Sequence, residues 1–384
     1  MPEHVLQAVE AIGPTVAARS DEIEQGGGLP PDIVELIRPT GAFRMYVPED
    51  LNGPAVPAWQ SLRVIEALSY QDGAAGWCSM IGSTTSLTAS SLPDPYAEEL
   101  FGDPSSIAGG FAMPAGRAEM VDGGLRVTGR WAWGSGTRHC DWIGGGCVIV
   151  DADGTPTRRA DGLTAPFVYV PADQVSFVDN WQVAGLSGTG SGDYEVADVF
   201  VPEGRWVQMG RNEPVRTNSL SRFSFFGLLA CGVAACTVGI ARRSIDEMVA
   251  LAATKKPQGS SRTLADRPRI QADVAMAEAD LAAAWAYLEQ TTGQAWMTAE
   301  GGNDPTVDQK RLLRLSASHA AKVAAGVTET MYKAAGGAAV YRTSPLQRTF
   351  RDAHVALQHA MVASRTFEVT GRLRLGLETD TTTL

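Results

Sequence analysis

Residues 223–241, "FSFFGLLACGVAACTVGIA", run for nineteen positions without a charge. Such a run must either cross a bilayer or be sealed inside protein, because nothing in it makes an aqueous surface. It falls just short of the roughly 20 residues a span needs. Its many Gly, Ala, Cys and Thr residues suit close helix packing, and it runs straight into "RRSIDEMVALA". It therefore reads as the buried core helix of a globular protein.

Helical periodicity surrounds that stretch. Apolar residues recur at three- and four-residue spacings around 222–254, 265–297, 305–335 and 345–376, with "TAEGGNDPTVDQ" as a connector. The first 105 residues show the same period in "HVLQAVEAIGPTVAARSDEIE", "PPDIVELIRPTGAF", "AWQSLRVIEALSY" and "GAAGWCSMIGSTTSLTASSL". Between them, "AEMVDGGLRVTGRWAW", "DWIGGGCVIVDADG", "LTAPFVYVPADQVSFV" and "GDYEVADVFVPEG" are short β-branched and aromatic runs with Asp-Gly and Gly-Gly turns. The expected fold is α+β: an N-terminal helical domain (1–105), a central antiparallel β domain (106–215) and a C-terminal four-helix bundle (216–384).

A net charge of −11 argues against nucleic acid or an anionic membrane as partner. The five cysteines form no CxxC pair, which fits a reducing cytoplasm without disulfides or zinc. The first residues lack the basic and apolar regions of a signal peptide. No GxGxxG sits on a strand-to-helix turn, so direct use of NAD(P)H is not expected.

"WAWGSGTRHCDW", residues 131–142, carries the chemistry. Glycines let a flat ligand approach the backbone, the Trp133 indole offers a stacking wall, and the Ser135 hydroxyl can bond a ring nitrogen. The competing reading is a sheet core with aromatic pairs and a glycine-loosened bend. A serine hydrolase is disfavoured because GxSxG is absent. A metal site is disfavoured because His139 and Cys140, adjacent in sequence, would face opposite ways on a strand.

These residues, with "GGFAMPAGRAE", "GLSGTGSGDYEVADVFVPEGR", "VGIARRSIDEM" and "AAGGAAVYRTSPLQRTFRDAHVALQHA", resemble the acyl-CoA dehydrogenase superfamily over nearly the whole chain. The nearer resemblance is to its two-component, reduced-flavin-dependent monooxygenases. It implies a soluble homotetramer or dimer, with reduced FMN or FAD between the β domain and the bundle. It places Trp133 and Ser135 against the isoalloxazine, Ser135 near N5, with Phe111 and Met113 lining the ring and Thr189 and Ser191 close by. Arg262, Gly336 and Gly337 would reach a neighbouring subunit's cofactor. Ser187 stands where relatives commonly carry Arg, which leaves FMN and FAD both open.

A dehydrogenase of that superfamily needs a carboxylate base. In many of them a glutamate follows "RD" by eight residues; here that position is Ala360, and Pro214 to Ile245 contains no Asp or Glu. Monooxygenase relatives use a histidine where His359 stands, beside a flavin C4a-hydroperoxide that oxygenates the substrate. On one continuous helix His354 and His359 would diverge by about 140° and could not share an ion. His359 would then share a face with Arg348 and Asp352, which are spaced to pair.

Several phenol hydroxylases of the resembling branch carry a second histidine on the "GW" helix, where this chain has Thr84 or Thr85. These threonines and His139 are the expected substrate-pocket residues. The resemblance further implies O2, a separate flavin reductase and an aromatic or polycyclic small-molecule substrate. The alternatives are N- or S-oxygenation, an acyl-CoA dehydrogenase or other flavin oxidase, and a non-catalytic scaffold of the same fold.

Overall fold

The computed structural model describes residues 2–208 and 214–384. Helices α1 (Pro2–Ala18), α2 (Ser20–Gly26), α3 (Pro31–Ile37), α4 (Ala58–Gln71), α5 (Gly73–Ser86) and α6 (Asp94–Phe101) come first. Strands β1 (Ala108–Val121), β2 (Gly124–Trp131), β3 (Trp142–Val150), β4 (Phe167–Pro171), β5 (Ser176–Phe177), β6 (Tyr194–Pro202) and β7 (Trp206–Val207) follow. Then come α7 (Ser219–Arg222), α8 (Phe225–Thr254), α9 (Pro268–Glu300), α10 (Val307–Ala335), α11 (Pro345–Ala356) and α12 (Arg365–Arg374).

The uncharged run forms the first half of α8, and 78% of its most apolar 18-residue window is buried inside the protein. Small residues make this possible. A Cβ on Gly239 would lie 2.3 Å from the Glu66 carbonyl oxygen, so α4 and α8 cross almost backbone to backbone. One continuous apolar core then runs through all three stretches, from Val5 and Leu68 through Val127 and Trp131 to Val238, Ala320 and Ala356.

The sheet corrects one expectation. Its order is β5-β6-β2-β1-β3-β4-β7, and although the β1–β2 hairpin turns at Asp122–Gly123, β1 pairs with β3 in parallel. The central layer is therefore mixed rather than antiparallel. The reason lies in residues 132–141, which do not turn back as a hairpin but carry the chain from β2 across β1 to its far side. Strand alternation encodes which face is buried, not which strand is the neighbour.

The last helix is also corrected. The expected helix over 345–376 breaks after Ala356, and residues 357–364 form tight turns before α12. Neither Gly nor Pro marks the break. The chain tightens at the break, where Gln358 and His359 donate to the Val355 and Ala356 carbonyls, three residues back, and the buried Arg314 of α10 binds the Met361 carbonyl of the turn at 3.1 Å. His359 thus lies in a turn, and the helix-face grouping with Arg348 and Asp352 does not hold.

Candidate active site

The crossover that carries Ser135 is stitched to the loop before β6. The Gly134 N–H donates to the Gly192 carbonyl and the Gly136 N–H to the Thr189 carbonyl, both at 3.0 Å. Side chains would not fit: a Cβ on Gly134 would sit 2.7 Å from the Tyr194 ring, and Gly136 adopts φ +69°. The two loops therefore press their hydroxyls together. Ser135 Oγ lies 2.7 Å from Ser191 Oγ, which lies 2.6 Å from Thr189 Oγ1. Thr189 Oγ1 in turn donates to the Leu186 carbonyl at 2.7 Å.

Helix α5 closes this row from the other side. Asp72 caps it, accepting from the Ala74 and Ala75 N–H groups at 3.0 Å. Slightly more than one turn later, the Trp77 indole N–H donates to Ser135 Oγ at 3.1 Å. The same indole meets the His359 imidazole edge-on, with ring centres 5.6 Å apart. Trp77 therefore joins the two residues expected to be catalytic, although they lie more than 220 positions apart.

The His359 environment fixes its proton. Burial first, and the Arg314 charge second, push its pKa down to about 4, so the ring is neutral near pH 7. Its Nδ1 lies 3.3 Å from the Met361 N–H, which can only donate, so Nδ1 is the acceptor and the proton resides on Nε2. His359 thus offers a donor.

Beside the buried hydroxyls lies an open apolar shelf. Trp133 is 62% exposed and Met113 63% exposed, and Phe111 meets Trp133 edge-on at 5.7 Å. Trp133 holds φ +57°, a left-handed conformation costing on the order of 1 kcal/mol for a residue with a side chain. An exposed indole held in strain next to buried polar atoms fits a flat aromatic group with a polar edge.

Of the other expected residues, only His139 borders this cluster. Thr84 and Thr85 are buried near the end of α5, and their hydroxyls donate to the Met80 and Ile81 carbonyls of their own helix. Arg262 is exposed in the α8–α9 connection, and Gly336 and Gly337 are exposed at the end of α10. His139 packs on Phe43 at 5.1 Å and lines a cavity of about 270 Å³ with Leu29, Val34, Arg38, Gly136 and Thr189. Burial, then the Arg38 charge, lowers its pKa to about 4.

The expected Arg348–Asp352 pair does not form. Arg348 reaches Asp21, while Asp352 turns inward and accepts from the Leu186 N–H at 2.6 Å. His354 is structural, bonding the Phe350 carbonyl at 2.8 Å. Sequence reasoning missed Trp77 and Arg314, and gave Asp352 Arg348 as its partner in place of the Leu186 N–H. The signal for Trp77 was the "GW" motif itself, in which an indole sits one residue after a glycine near the start of α5.

Residues 231–364 match the model of the acyl-CoA dehydrogenase C-terminal domain family. The indole-3-acetate monooxygenase of Pseudomonas putida is 32% identical over 361 residues, covering 94% of this chain and 90% of that protein. The chain belongs to the monooxygenases of the acyl-CoA dehydrogenase superfamily.

This monooxygenase is 27% identical to the oxygenase subunit of a flavin-dependent monooxygenase from Rhodococcus jostii, over 92% of this chain and 94% of that one. It superposes on the crystal structure of 3-HSA hydroxylase from Rhodococcus sp. RHA1 with TM-score 0.88 and 26% identity, over 99% of both chains. The monooxygenase is accordingly a flavin-dependent oxygenase component. An exposed indole beside buried hydroxyls is chemically compatible with a flat ring that has a polar edge, as a flavin has.

Proposed function

We propose that the chain hydroxylates an aromatic or polycyclic small molecule, with O2 and a reduced flavin delivered by a separate reductase. The flavin supplies oxygen activation. The chain's residues supply the rest: Trp133, Phe111 and Met113 hold the ring, Ser135 bonds its polar edge, and His359 presents Nε2–H to the reacting oxygens. Thr84, Thr85 and His139 border the substrate side. Arg262, Gly336 and Gly337 serve a neighbouring subunit's cofactor in a homotetramer or dimer, a role with which their exposure is compatible.

The observation that carries this reading is the Trp77 bridge, which brings Ser135 and His359 to one indole. For the dehydrogenase alternative, both usual base positions lack a carboxylate: the residue eight after Asp352 is Ala360, and Pro214 to Ile245 holds no Asp or Glu. Asp72 and Asp352, which share the lining of one small cavity near these elements, are both committed to backbone N–H groups, and Ala360 is exposed in the turn. The relatives support the aromatic class: the Pseudomonas putida enzyme is named for an indole acid.

The test is anaerobic titration with chemically reduced FMN and FAD, followed by ¹⁸O2 and a panel of indoles and phenols. Incorporation of ¹⁸O into an aromatic product without NAD(P)H is expected. Bleaching of bound oxidised flavin by an acyl-CoA without oxygen would overturn the reading.

A further inference from the structure

The row of hydroxyls has a direction. The Leu186 carbonyl can only accept, so Thr189 spends its single O–H proton there, at 2.7 Å. The 2.6 Å contact between Thr189 and Ser191 must then use the Ser191 proton, and the 2.7 Å contact between Ser191 and Ser135 must use the Ser135 proton. At the far end the Trp77 indole, which can only donate, occupies one Ser135 lone pair at 3.1 Å. Every proton in the row points away from the site. Ser135 is left with a single unused function, one accepting lone pair.

The anchor of the row is held firmly. The Leu186 carbonyl also accepts from the Thr189 N–H at 3.1 Å and the Trp181 indole at 3.3 Å, and its own N–H is taken by the buried Asp352 carboxyl. Leu186 sits at φ +54°, a conformation that a side-chain-bearing residue keeps only when its surroundings dictate it. Thr189 and Ser191 are both buried, which removes water as an alternative partner for their hydroxyls.

We propose that Thr189 and Ser191 are the residues that make this site selective for reduced over oxidised flavin, by forcing Ser135 to accept rather than donate. The proposal rests on the reading that Ser135 meets the flavin N5. Reduced flavin carries an N–H there and matches the lone pair. Oxidised flavin carries a lone pair there and faces another. Product flavin is thereby expelled and reduced flavin admitted, without any moving part. The roles are those of positioning residues: both act through Ser135.

The experiment is equilibrium binding of reduced and oxidised flavin, anaerobic for the reduced form, to wild type, Ser191→Ala, Thr189→Val and Thr189→Ser. Wild type is expected to favour reduced flavin. In Ser191→Ala and Thr189→Val the Ser135 proton is freed to turn into the site. Affinity for oxidised flavin then rises, affinity for reduced flavin falls, and their ratio drops about tenfold, the scale of one buried hydrogen bond. Thr189→Ser keeps the hydroxyl and restores the wild-type ratio. A gain in oxidised-flavin affinity cannot come from misfolding. If wild type binds reduced flavin but the ratio stays constant across the variants, the inference is overturned while the functional reading stands. If wild type binds neither form, the functional reading fails and takes the inference with it.

Discussion

Trp77 donates its indole N–H to the Ser135 hydroxyl at 3.1 Å, from a helix that belongs to a different third of the chain. The bond ties the helical N-terminal layer to the loop expected to hold the flavin. Replacing Trp77 with Phe keeps the edge contact to His359 and removes only this donor. Hydroxylation should fall roughly tenfold, about one hydrogen bond's worth, with more oxygen lost as hydrogen peroxide. The peroxide-to-product ratio at saturating substrate checks this; an unchanged ratio would show that the bond has no part in turnover.

His359 should act as a donor rather than a base. His359→Gln places an amide N–H near the position of Nε2–H, whereas His359→Asn is too short to do so. The Gln variant should keep kcat within about tenfold, and the Asn and Ala variants should lose at least about a hundredfold, the usual worth of a proton-handling group. Because burial holds the ring neutral down to about 4, the wild-type rate should show no imidazole titration between pH 5 and 8. A limb near 6.5 that disappears in the Gln variant would refute the donor assignment.

Asp352 carries a pH signature. Burial chiefly, with the nearby Asp72 charge adding to it, lifts its pKa to about 7. The folded state therefore holds a proton that the unfolded chain, titrating near 3.9, has released. Stability contributed by this proton is complete below about pH 4 and is lost as pH rises toward 7. Asp352→Asn keeps an oxygen for the Leu186 N–H and has no such slope. Its unfolding free energy in urea should match wild type near pH 4 and exceed it at pH 8 by roughly 4 kcal/mol, about three pKa units' worth. Parallel pH profiles for the two proteins would exclude this account.

Gly185 is where the Leu186 loop touches α11. An added Cβ would lie 2.5 Å from the Arg351 carbonyl carbon and oxygen, both backbone atoms that cannot swing aside. Gly185→Ala should cost about 2 kcal/mol or more through overpacking, and should weaken reduced-flavin binding because Thr189 and Ser191 move with the loop. Thermal unfolding together with flavin titration reads both effects. A variant of normal stability and affinity would show that the loops are not mechanically joined.

The sequence by itself determined the succession of helices, strands and helices, because apolar periodicity is local and each element buries one face. It also determined the burial of residues 223–241, whose composition leaves no aqueous alternative, and it singled out Ser135 and His359. Tertiary structure decided what those residues can do. The parallel pairing of β1 with β3 follows from where residues 132–141 travel, and no strand pattern carries that information. The turns after Ala356 are held from afar, by Arg314 reaching across from α10 to the Met361 carbonyl. Proton direction is likewise collective: a serine hydroxyl can donate or accept, and only the Leu186 carbonyl, reached through Thr189 and Ser191, turns Ser135 into an acceptor. A side chain's type is written in the sequence, but its polarity in the site is set by partners that the fold brings from elsewhere.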